Sequence, residues 1–146
     1  MLSCKCACSL FSAVSRFLGQ LQPLWWLFLR LWIAAVFFKS GLTKIDDFET
    51  TVLLFTEEYH VPVLSPYMAA LSATFFELAM PVALVLGLGV RAAALPLLIM
   101  TAVIQFTYLD HVQHYYWAIV LVGLILHGGG KVSLDYWIAR TYTRQP

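Results

Sequence analysis

Charge is scarce in this chain. Asp, Glu, Lys and Arg make up 12% of its 146 residues, about half the share that soluble domains carry. The net charge is +1, with no basic face for a phosphate backbone, which excludes nucleic acid as a partner. Cysteine is confined to Cys4, Cys6 and Cys8. No thiol–disulfide relay can therefore run through the rest of the chain. The signs of a cleavable leader are also missing. Lys5 and Arg16 interrupt the first 22 residues, and no small-residue cleavage site follows a clean apolar stretch. The first spanning helix is therefore expected to act as an uncleaved anchor. No internal repeat stands out.

What is present is apolar. Hydrophobic residues make up 61% of the chain, and the mean hydropathy is +0.79. They fall in four runs, each close to the ~20 residues that cross a bilayer. Soluble core helices have no need of such lengths, so a very apolar soluble helical protein is excluded. The runs predict helices from about Pro23 to Leu42, Pro66 to Leu88, Val90 to Leu109 and Gln113 to His127. Pro23 suits a first helical turn, and Trp25 and Trp26 suit an interfacial belt. Glycines 87 and 89 divide the second run from the third, and Gly128-Gly129-Gly130 stops the fourth. The glycine triplet follows a membrane helix rather than a strand and lacks the rest of a phosphate-loop pattern. Ser133 and Asp135 are expected to open a short segment beyond it. Ala69 and Ala73 form a small-xxx-small pair suited to close helix packing.

Residues 1–22 read as a separate amphipathic segment: Leu10, Phe11, Val14, Phe17, Leu18 and Leu21 recur at helical spacing. Lying on the membrane surface and extending the first spanning helix are both open readings. In the long first link, Phe48, Val52, Phe55 and Tyr59 share one helical face, and Asp46 followed by Glu49 resembles a capping pair. A short amphipathic helix is expected there, ended by Pro62. Lys5, Arg16, Arg91, Lys131, Arg140 and Arg144 fall on one side of the predicted spans, and Lys39 and Lys44 on the other. The positive-inside rule then places both termini in the cytoplasm. The expected fold is all-α: an antiparallel four-helix bundle within the membrane over residues 23–138, with a cytoplasmic tail over 139–146.

Glu77 is the feature that points to function. It lies mid-run between Tyr67 and Leu88, where an ionised carboxylate is costly unless it is paired, protonated or wet. Arg30, in the first run, is the expected partner. The depths that the predicted helix ends imply, about 10 and 16 Å, are within reach of two long side chains. Pro81 lacks an N–H, which frees the Glu77 carbonyl at the same depth. Such a pair can line a polar or wet centre, or it can merely fix helix register. The predicted outer end gathers Lys39, Lys44, Thr101, Gln105, Tyr108, Asp110, His111, His114 and the run Tyr115-Tyr116-Trp117. These residues fit a quinone headgroup site and equally an aromatic belt with snorkelling lysines. Asp110, His111 and His114, joined by His60, also allow a metal reading. His127 reads as structural. Cys4, Cys6 and Cys8 could hold a soft metal ion, accept a lipid or do neither.

Several motifs together resemble the DoxX family of small four-helix membrane proteins. They are Leu29-Arg30-Leu31, Phe38-Lys39-Ser40-Gly41-Leu42-Thr43-Lys44, Phe76-Glu77-Leu78, Gly87-Leu88-Gly89-Val90-Arg91 and the stretch from Gly128 to Asp135. The resemblance runs from about Leu29 to Asp135 and leaves the cysteines outside. It implies an integral protein of the bacterial inner membrane, in contact with lipid and with other membrane or redox proteins. It also implies an accessory role in a quinone-linked or thiol- and oxidative-stress-linked system. Quinone is the one cofactor it brings forward, and a homo-oligomer is compatible with it. It supplies no catalytic residue. Two other roles stand beside that reading: a carrier for a small solute or proton using Glu77, and a scaffold for a partner complex.

Overall fold

The computed structural model describes residues 2–59, 64–108 and 110–142, with side chains from Phe11 onward. Six helices and no strand occur among the described residues. Helix α1 (Leu2–Asp46) has 45 residues, a rod about 67 Å long. Pro23 lies inside it rather than at its start, so residues 1–22 are continuous with the first spanning run. The extension reading is the one observed, and the expected break at Pro23 is absent. Pro23 removes one helical hydrogen bond, from the Gly19 carbonyl. The side chains over 11–20 are all exposed there, and nothing lies within 4 Å of where a Gly19 Cβ would stand. The freed carbonyl is thus open to its surroundings. At its other end α1 passes the expected stop at Leu42 and carries Lys44 in its last turn.

Helix α2 (Phe48–Glu57) is the short helix expected in the first link. Its cap is Asp47 rather than Asp46: the Asp47 carboxylate accepts from Thr50 N at 2.9 Å and from Thr50 Oγ1 at 2.6 Å. It ends at Glu57, and Pro62 lies outside the described residues. Helix α3 (Pro66–Leu86) opens on a Ser65 cap with proline in its first turn and closes on Gly87, whose φ is 72°. Helix α4 (Val90–Thr107) follows Gly89, α5 (Val112–His127) ends at Gly128, and α6 (Leu134–Tyr142) runs across the expected 138/139 boundary. Among the described residues, three helical stretches are long and apolar enough to cross a membrane: Phe11–Asp46, Pro66–Leu86 and Val90–Thr107. The 16 residues of the largely apolar α5 span about 24 Å.

α1 packs along α3, α3 against α4, α4 against α5 and α5 against α1. Ile33, Ala34 and Phe37 meet Leu84, Val90, Ala93, Ala94, Leu97, Leu121 and Leu124 in one core. A second cluster forms where α2 folds onto α3, with Phe55 against Ala69, Ala70 and Ala73. The small-xxx-small pair thus receives α2, whose Phe48 and Val52, with Tyr59 just beyond its end, complete the contact. Most large apolar side chains point outward, with Phe106, Ile119 and Leu126 more than two-thirds exposed. That distribution suits hydrocarbon rather than water on the outside.

Candidate functional site

Glu77 finds its partner on α1, but the partner is Lys44. Lys44 Nζ lies 2.8 Å from Glu77 Oε2 and donates to Ser40 Oγ at 2.9 Å. The Ser40 hydroxyl also reaches the Glu77 carboxylate. Ser40 and Lys44 are four residues apart and therefore share a helix face. Gly41, beside Ser40, lets that face close on α3. A Cβ there would sit 2.9 Å from Leu78 Cγ and 3.0 Å from Glu77 Cβ. The carboxylate is 2% exposed and the lysine side chain 16%, so the pair is sealed mainly on the Glu77 side.

This pair forms part of the wall of a partly open cavity of about 310 Å³ bordered by the end of α1, α2, α3 and α4. The rest of the wall is mostly hydrocarbon, including Phe55, Ala69, Ala73, Phe76, Pro96, Ile99, Met100, Val103 and Ile104. Ser72, Tyr59 and Thr107 add hydroxyls. Lys44 and Glu77 are the only charged side chains lining it among the described residues. An apolar chamber of this size with a few convergent polar groups is the usual form of a small-molecule site. Two of the three Lys44 donors are used by Ser40 and Glu77. The third has no acceptor among the described residues and is available to a ligand.

Arg30 does not meet Glu77. Its Nη1 donates to the Gly129 carbonyl at 2.9 Å and its Nη2 to the Val132 carbonyl at 2.8 Å. Nη1 would lie 2.8 Å from a Cβ on Gly87. Gly87 is ten residues from Glu77, about 15 Å along α3, which is too far for a salt bridge. Because α1 continues through Pro23, the membrane entry assumed from that proline gave the wrong depth for Arg30. The residue serves instead as a clamp on the loop between α5 and α6; just beyond it, Asp135 in the first turn of α6 accepts from Gly89 N at 2.7 Å and Val90 N at 3.0 Å. Among the described residues, Arg30 Nε is buried without a partner.

The polar residues of the other end also separate into different roles. Lys39 is exposed on α1. Gln105 organises the turn between α4 and α5. Its Oε1 lies 2.8 Å from His114 Nδ1 and accepts from His111 N, and its Nε2 donates to Asp110 and Tyr115. His111 Nδ1 accepts from Gln113 N at 3.3 Å, capping α5, and His114 lies against Trp117 with ring centroids 5.1 Å apart. Asp110, His111 and His114 are thus engaged with the turn rather than aimed at one point. No cluster able to hold a metal ion occurs among the described residues; His60 lies outside them, as do the side chains of Cys4, Cys6 and Cys8. Gln105 and these histidines do not line the cavity. Its nearest phenol is Tyr59, packed edge-on against Tyr108 at 4.6 Å. Burial, together with Tyr108, Glu58 and Glu77, pushes the Tyr59 phenol up. A hydrogen bond to Glu58 does the same for Tyr108. His127 stacks on Trp26 at 4.3 Å, so that tryptophan faces protein rather than a lipid belt.

The DoxX family model matches residues 25–110, more than half of the chain, and the chain belongs to that family. The match takes in Ser40, Gly41, Lys44 and Glu77 and ends before the Gly128–Asp135 stretch that Arg30 clamps. Comparison with curated proteins and with solved structures gave no match.

Proposed function

We propose that this DoxX-family membrane protein binds a neutral, lipid-soluble, carbonyl-bearing molecule of the quinone type, as an accessory subunit of a membrane redox system. The observation that carries the reading is the apolar cavity with a buried Lys44–Glu77 pair in its wall. A quinone headgroup requires hydrogen-bond donors in apolar surroundings, and the third Lys44 N–H meets that need. The setting is an antiparallel four-helix bundle of α1, α3, α4 and α5 in the bacterial inner membrane. Arg91 and Lys131 lie at the Arg30 end, as do the start of α1 and α6, which supports a cytoplasmic location for that end.

The test is purification in mild detergent, lipid extraction and titration with a short-tailed quinone. The expected result is saturable binding at about one quinone per chain, weakened roughly tenfold by Lys44→Met, the effect of one lost hydrogen bond at the strong end of its range. No co-purifying quinone and no saturable binding would overturn the proposal.

The same buried carboxylate favours a second reading, a proton or small-solute carrier titrating at Glu77. That reading requires flux in proteoliposomes that Glu77→Gln abolishes. A scaffold role draws on the exposed stretch of α1 over residues 11–20. It requires a stable partner in pull-downs that Glu77→Gln leaves in place.

A further inference from the structure

We propose that Glu77 sets the charge selectivity of the cavity: by neutralising Lys44 it admits neutral carbonyl-bearing amphiphiles and turns away carboxylate-bearing ones. The inference rests on the cavity reading above, though not on the occupant being a quinone.

The argument is one of charge balance. Lys44 is the only cation on the wall among the described residues, and Glu77 holds its Nζ at 2.8 Å. The pair is neutral as a unit. An entering fatty-acid anion would leave water for a chamber lined by Phe55, Phe76 and Val103, and its desolvation cost would not be repaid by a cation already satisfied. It would also bring a second negative charge beside Glu77. A neutral ester or ketone loses little on entry and gains the remaining Lys44 donor. Ser72, Thr107 and Tyr59, the other polar groups on the wall, are uncharged and do not alter the balance. Glu77→Gln keeps the shape and an acceptor for Lys44 but leaves the ammonium uncompensated. An entering carboxylate would then restore the ion pair.

The experiment uses the full-length protein in mild detergent with two probes that share one chain: spin-labelled laurate and its methyl ester, at about pH 8 where the acid is ionised. The wild type is expected to bind the ester at least roughly tenfold more tightly than the acid. Glu77→Gln is expected to reverse that order, and Glu77→Asp to keep the wild-type order, as desolvated charge pairs of this kind are worth tenfold or more. Val103→Trp, which fills the chamber, is expected to abolish binding of both probes in either background. If Glu77→Gln fails to fold, Lys44→Gln provides the second variant. It leaves Glu77 alone and is expected to gain binding of a spin-labelled laurylamine cation. An unchanged ester-to-acid ratio in folded Glu77→Gln, or no gain of cation binding in Lys44→Gln, would overturn the inference. If the preference reverses without any quinone binding, the quinone reading alone falls. If quinone binds and the preference does not reverse, this inference alone falls.

Discussion

Lys44 and Glu77 meet across the contact between α1 and α3, Nζ to Oε2 at 2.8 Å, at the level where Gly41 lets the helices close. The ionic contact and the close approach depend on each other. The lysine reaches the carboxylate because the backbones are near, and the charges are tolerable in an apolar interior because each has the other. Ser40 ties the two together by accepting from the lysine.

Substitution at Gly41 is expected to act on the pair without touching either charge. A Cβ there meets Leu78 Cγ at 2.9 Å and Glu77 Cβ at 3.0 Å. Overpacking of this kind costs about 1–3 kcal/mol, while replacing a helical glycine by alanine returns up to about 1 kcal/mol. Gly41→Ala should therefore be mildly destabilising, and Gly41→Val should lose about 2 kcal/mol along with quinone binding. Thermal unfolding in detergent measures both. Wild-type melting of Gly41→Val would contradict the close approach.

Arg30→Lys is expected to fail as a conservative change. One guanidinium spans the Gly129 and Val132 carbonyls, a forked geometry that an ammonium does not reproduce. Leaving one carbonyl unpaired costs about 1–3 kcal/mol. The loss should appear as a lower melting temperature and faster amide exchange over residues 128–133. Equal stability of Arg30→Lys would show that the clamp is dispensable.

Much of this architecture is legible in the sequence, because the residues that start and stop helices act locally. Pro66 begins α3, Gly87 ends it in a left-handed conformation, and Gly128 ends α5. Pro23 misleads because proline's preference for a first turn is only a preference, and in α1 its cost falls on an exposed stretch. That single boundary carries the largest error. It placed Arg30 within side-chain reach of Glu77, and with the first span ending at Leu42, Lys44 stood at its end rather than inside it. The signal for the observed partner was present in the spacing of Ser40 and Lys44 on one face with a glycine between them. Reading it required knowing that the helix continues to Asp46. The cavity was not legible, since it depends on how α2 settles on Ala69 and Ala73.

The pH response of α2 follows from its cap. Hydrogen bonds from the Thr50 side chain and backbone hold the Asp47 carboxyl below its usual value. A lowered carboxyl pKa stabilises the folded form fully above the unfolded value of about 3.9, and that contribution is lost as pH falls through the folded value. Protection of the Thr50 and Thr51 amides, corrected for intrinsic exchange, should therefore hold at neutral pH and decline in acid below about pH 4. Asp47→Asn should remove this acid dependence. A dependence that survives Asp47→Asn would assign it to another group.

The most direct test of the account is a double-mutant cycle on Lys44→Met and Glu77→Gln, read by thermal unfolding of the full-length protein in detergent. Removing one member of a fully buried pair costs 3–5 kcal/mol. Because the lysine is partly exposed, the coupling expected here is smaller, about 1–3 kcal/mol. Each single variant should melt lower than the wild type, and the double variant should recover part of the loss. Effects that add to within about 0.5 kcal/mol would mean that the two side chains do not act as a pair, and the charge-balanced cavity would fall with them.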